Sequence, residues 1–159
     1  MTLPYTWNSM PHIVDVKCLS CGQKAQFEFA KVAHIREKKD VPFFKQSDQV
    51  EYVFLEDHCG RRWHGALFFP RIHGRTVDSI DNLPEGYQPS DWQDKGWFGG
   101  GNDLDVGSVY CPKCFLISKH TLRWPGDAYY QVEYKGKVLW AVNEESAREL
   151  LHYIQSSQR

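Results

Sequence analysis

Two short cysteine pairs constrain the folding of this chain more than any other feature. Cys18-Leu-Ser-Cys21 is followed by Gly22, and Cys111-Pro-Lys-Cys114 repeats the spacing far downstream. Two residues between paired cysteines let a tight turn aim both sulfurs at one point, where backbone amides of the turn can also bond to them. Gly22 gives the first turn access to positive φ, and Pro112 stiffens the second. Together the pairs make a four-thiolate set, Cys18, Cys21, Cys111 and Cys114, suited to one zinc ion. Four thiolates leave no open coordination position, so a structural ion is expected rather than a catalytic one. Such an ion contributes on the order of 10 kcal/mol or more to folding.

Other readings of the cysteines are a buried disulfide, two unrelated loops, a redox pair, or an iron site, since iron also accepts four thiolates. The chain has 5 cysteines, an odd number that fits poorly with a disulfide framework. No strand–helix–strand pattern surrounds either pair, as a thioredoxin-like redox motif would require. The start, Met-Thr-Leu-Pro-Tyr-Thr-Trp-Asn, lacks a basic stretch followed by an apolar one. A cytoplasmic protein is therefore expected, and thiols kept reduced there favour a metal. No run approaches the ~18 apolar residues that span a membrane, so no membrane partner is expected.

The knuckles Cys18-Leu-Ser-Cys21-Gly22 and Cys111-Pro-Lys-Cys114 resemble the rubredoxin-type knuckles of zinc-ribbon proteins. The stretch around Trp124-Pro-Gly-Asp-Ala-Tyr-Tyr130 is similar to bacterial zinc-ribbon proteins of unassigned role. The resemblance implies that the four cysteines are the ligands, and it covers little beyond the knuckles and their flanking strands. Two departures stand out. The pairs are separated by 89 residues, far more than in a simple ribbon, which implies an insertion. Phe115 stands where rubredoxins usually carry Gly, which disfavours the iron-binding electron-carrier reading.

Hydrophobic periodicity fills in the rest. His12 to Lys17 reads as a short strand, and Ala25, Phe27 and Phe29 alternate with Gln26 and Glu28 as a half-buried one. Val50, Tyr52 and Phe54, then Trp63, Gly65, Leu67 and Phe69, read as two strands of a hairpin across His58–Arg61. Residues 37–40, followed by Pro42, read as a solvated break. Residues 76–104 carry almost no periodicity but hold Trp92, Trp97 and Phe98, against the composition of plain disorder. Leu116, Leu122 and Trp124 share a parity with Ser118 and His120 between them. Tyr130, Val132 and Tyr134, a Lys135-Gly136 turn, and Val138, Trp140 and Val142 predict a second hairpin. Asn143 is placed to cap a helix whose Ala147, Leu150, Leu151 and Ile154 form one apolar stripe, expected to dock on that hairpin. The first eleven residues read as a loose arm.

The expected fold is a mainly β (α+β) single domain: an antiparallel zinc ribbon from residues 12–35 and 105–124, an insertion at 36–104, and a hairpin plus helix at 125–159. The 159 residues, 42% hydrophobic with 6 Trp, 8 Tyr and 9 Phe, can fill a core of that size.

Function is less legible. Net charge is −1, so the whole molecule does not attract nucleic acid. Between His58 and Arg75, however, Arg61, Arg62, Arg71 and Arg75 accompany three histidines with no acid. With Trp63 they could form a surface for a nucleic-acid or protein partner, or a basic face balanced by the acidic stretch that follows. His58, Cys59 and His64 could serve a small enzyme, with Cys59 as nucleophile or extra metal ligand, or Cys59 could be an ordinary turn thiol. His12 and His120, each six residues outside a knuckle, could support the metal site or be plain strand histidines. Asp91, Asp94, Asp103 and Asp105 could hold a hard cation or simply be solvated. No phosphate loop, Ser/His/Asp set or His-Glu-x-x-His motif is present. A binding module is therefore the expectation.

Overall fold

The structure, a computed structural model, describes residues 11–57, 59–94 and 105–156. The expected N-terminal arm lies almost wholly outside them. The chain is mainly β, with antiparallel sheets, two α-helices and a C-terminal hairpin plus helix.

Strands β1 (Ile13–Lys17), β2 (Lys24–Phe29), β7 (Val106–Tyr110) and β8 (Ile117–Thr121) form one four-stranded sheet in the order β1-β2-β7-β8. All three pairings are antiparallel, with Gln26 opposite both Asp15 and Tyr110. Strands β1 and β7 therefore run the same way. Their following turns, residues 18–23 and 111–116, emerge at the same end of the sheet. This register carries the two cysteine pairs to one place.

The inward face of this sheet is apolar: Val14, Val16, Ala25, Phe27, Phe29, Val109 and Leu122 pack with Cys18 and Cys111. Gly107 is required here. A Cβ at that position would lie 2.1 Å from the Glu28 carbonyl oxygen and 2.7 Å from Cζ of Phe27.

The insertion builds its own sheet. Strands β3 (Lys31–His34), β4 (Glu51–Glu56), β5 (Arg62–Phe68) and the two-residue β6 (Gln93–Asp94) lie in the order β4-β5-β3-β6. The β4–β5 hairpin is the expected one. The crossing between sheets is Ala30, whose amide bonds to the Val106 carbonyl at 3.0 Å before the chain continues into β3. The ribbon therefore ends at residue 30, not 35, because β3 pairs with β5.

Two loop readings are corrected. The expected break at 37–40 is a 3₁₀ turn, Lys38–Asp40, leading straight into helix α1 (Val41–Gln46). Pro42 sits in the helix's first turn, where its missing N–H costs nothing. The aperiodic stretch after residue 76 is partly core. Ile80, Tyr87 and Trp92 close over Phe44 and Phe68 of the insertion, with 3₁₀ turns at Val77–Ser79 and Pro89–Asp91. Residues 95–104, including Trp97 and Phe98, lie outside the described residues.

At the C-terminus, β9 (Tyr130–Tyr134) and β10 (Lys137–Ala141) form a two-stranded hairpin, followed by helix α2 (Glu144–Gln155). The Asn143 side chain accepts a bond from the Ser146 amide at 2.9 Å, the expected N-cap. Register places Val132 opposite Leu139, so the two apolar rows read from sequence lie on opposite faces of the hairpin. Tyr130, Val132 and Leu139 face the helix, while Trp140 turns to Trp124, edge to face at 5.3 Å between centroids.

Candidate metal centre

The two knuckles are built alike. In the first, the Cys18 amide bonds to the Gln23 carbonyl at 2.8 Å, and the Gly22 amide to the Cys18 carbonyl at 3.0 Å. In the second, the Cys111 amide bonds to the Leu116 carbonyl at 2.9 Å, and the Phe115 amide to the Cys111 carbonyl at 2.8 Å. Each turn buries its leading cysteine and leaves the second exposed.

The four sulfurs converge. Cys18 Sγ and Cys114 Sγ are 3.6 Å apart, as are Cys21 Sγ and Cys111 Sγ, and all four lie within 4.8 Å of one another. A disulfide would hold two sulfurs at about 2.05 Å, and all the cysteines are free. A regular tetrahedron of thiolates around zinc, with bonds of about 2.3 Å, places sulfurs about 3.8 Å apart. Both 3.6 Å contacts join one knuckle to the other, the pattern of a shared centre rather than two separate loops.

The local electrostatics favour charge at the centre but cannot sustain four unbalanced thiolates. Burial opposes ionisation of Cys18, but amides of Cys21 and Ser20, with the Cys114 and Cys111 thiols, outweigh it and lower the thiol to about 6. At Cys21 the Gln23 amide favours the thiolate, yet burial and the three neighbouring sulfurs prevail and push it up to about 12. One sulfur ionises at the expense of its neighbours. A divalent cation amid the four removes that conflict. Among the described residues, these cysteines are the one group of three or more His, Cys, Asp or Glu side chains able to converge on an ion.

No protein family, curated protein or solved structure matches this chain. The reading of the site therefore rests on its own geometry.

The other candidate residues are not gathered into one site. Arg61 and Arg62 flank the β4–β5 turn, paired with Asp57 at 2.9 Å and Glu56 at 3.0 Å. Arg71 and Arg75 follow the opposite end of β5, a strand length away at roughly 20 Å. Arg71 lies over the Tyr110 ring at 4.1 Å, tying the insertion to the ribbon sheet. Trp63 stacks on His34, centroids 3.9 Å apart. Of the enzyme candidates, His58 lies outside the described residues. Cys59 is exposed in the turn, its amide bonded to Asp57 at 2.8 Å. His64 Nδ1 instead meets the Tyr52 hydroxyl at 2.7 Å.

His12 and His120 do not support the metal site. His12, Phe29, Gly107 and His120 form one row across the sheet, at the end away from the knuckles. His120 pairs with Asp127 at 2.7 Å, an interaction with no sequence signature. Asp91 is bonded to the Gln88 amide and Arg36, and Asp94 to Lys31 at 2.8 Å, so both acids are already partnered. Asp103 lies outside the described residues.

Proposed function

We propose that this chain is a zinc-binding protein in which one ion, held by Cys18, Cys21, Cys111 and Cys114, staples the ribbon sheet. The observation that carries this reading is the convergence of four sulfurs from two distant turns within 4.8 Å. Zinc is favoured over iron because Cys21 and Cys114 face solvent, and zinc carries no redox state that such exposure would compromise. With four thiolates bound, the ion supplies charge neutralisation and cross-linking and leaves no position for a substrate.

The role proposed is binding rather than catalysis. What supports it is that, among the described residues, no Ser or Cys side chain hydrogen-bonds to a histidine, the first requirement of an activated nucleophile. The test is metal analysis of protein purified without added metal, beside Cys111→Ser. About one zinc per chain, lost with the fold in the variant, supports the reading. A coloured iron protein would replace zinc with an electron-transfer centre, and metal-free folded protein would sink it.

A further inference from the structure

Two cavities adjoin along helix α2. One, of about 340 Å³, lies between the helix and the hairpin, with Val132 and Leu139 on one wall and Leu150 and Ile154 on the other. The second, of about 420 Å³, lies nearer the start of the helix, where its charged lining is Lys24, Glu144 and Arg148. Tyr129, Tyr130, Ala147 and Leu151 line both. The two are neighbouring halves of one groove, apolar at one end and charged at the other, in the size range of small-ligand sites. In the apolar half Val132 is 58% exposed and Leu151 54%, so a chain laid there removes apolar surface from water.

The charged half already holds a carboxylate. Glu144 Oε2 is 3.4 Å from Lys24 Nζ, and Oε1 is 2.6 Å from Arg148 Nη2. Lys24 donates to the Tyr130 hydroxyl as well. Asp15 also attracts Lys24, but from the buried side. Glu144 is 50% exposed and Arg148 78%, so their pairing is weak. Glu144 opens helix α2, and its side chain can turn to solvent and release both cations.

We propose that this groove binds a small amphipathic carboxylate, a medium-chain fatty acid, whose carboxylate replaces that of Glu144 between Lys24 and Arg148. Its chain lies against Tyr130, Val132 and Leu151. The polarity of the groove selects this chemistry. A neutral lipid leaves the cations unmet, and a hydrophilic anion leaves the apolar half bare. Length agrees too, since Glu144 to Ile154 spans about 15 Å along the helix, the reach of about twelve extended carbons.

The test is calorimetric titration of the full zinc-loaded chain with dodecanoate. One dodecanoate per chain is expected, with a Kd on the order of 10 μM. Dodecyltrimethylammonium, the same chain with a cationic head, should bind at least about tenfold more weakly. Leu151→Asp should weaken dodecanoate binding by about tenfold, as should Lys24→Met/Arg148→Met. Glu144→Gln removes the competing carboxylate and should tighten binding several-fold, a gain that no folding defect imitates. Absence of binding up to about 1 mM dodecanoate overturns the proposal. Equal affinity for the cationic amphiphile, or weaker binding by Glu144→Gln, overturns it as well. The groove is separate from the zinc centre, and metal analysis of each variant shows a failure of that assignment independently.

Discussion

Gly22 and Phe115 occupy equivalent positions in the two knuckles. Each donates its amide to the carbonyl of the leading cysteine, and each has positive φ, 71° and 60°. Glycine takes that conformation freely, whereas an L side chain pays about 1–2 kcal/mol. Phe115 is 75% exposed and recovers little of this by burial. Phe115→Gly should therefore stabilise the zinc-loaded protein by about 1 kcal/mol. Urea midpoints in excess zinc measure it, and an unchanged or lower midpoint would show that the ring makes compensating contacts.

Chelation should act unevenly. The insertion has its own core around Phe44, Phe68 and Trp92, distinct from the ribbon core that contains Cys18 and Cys111. On metal removal, amide exchange should accelerate first in 13–29 and 106–121, while β4 and β5 stay protected longer. Simultaneous loss everywhere would mean that the two sheets unfold as one unit.

At Gly107 any side chain meets the Glu28 backbone. Gly107→Ala should cost about 3 kcal/mol, because neither strand can shift without breaking register. Chemical denaturation reads this directly. A cost below about 1 kcal/mol would mean that the β2–β7 pair opens easily.

Asp15 is buried beneath the C-terminal segment, its amide bonded to Val142 and its carbonyl to Tyr129. Burial raises its pKa above the ordinary 3.8, with Lys24 only partly opposing. A raised carboxyl favours folding when protonated. That contribution is complete below 3.8 and is lost as pH rises through the folded value. Asp15→Asn should thus gain on wild type as pH rises through this window, then hold a constant lead. Denaturation midpoints in excess zinc from pH 4 to 8 check the sign, and a gap that shrinks with rising pH would show that Lys24 dominates.

Much of this architecture is legible because its strands and last helix carry their periodicity openly. Alternation in Ala25–Phe29 marks an inward face, and the Ala147–Ile154 spacing marks a stripe. The failures share a cause, since sequence proximity does not report direction in space. Pro42 looks like a stop but opens a helix. Arg61 and Arg75 share a basic stretch, yet β5 separates them. His12 and His120 sit equally far from their cysteines in sequence, and the strands carry both to the opposite end of the sheet. Phe115 had a signal, its place in the knuckle where glycine is usual, but not the left-handed backbone itself. The cysteines were legible because ligand spacing is a local property that turn geometry preserves.

Cys21 and Cys111 lie 90 positions apart in the chain, and a second sheet, β4-β5-β3-β6, is built from strands between them. During synthesis the first knuckle emerges with half a coordination shell and must wait for the second. A four-cysteine shell can close only after Cys111 and Cys114 have been made. Any ion held by all four cysteines would therefore be captured late in synthesis, when roughly the first two thirds of the chain is already free to fold.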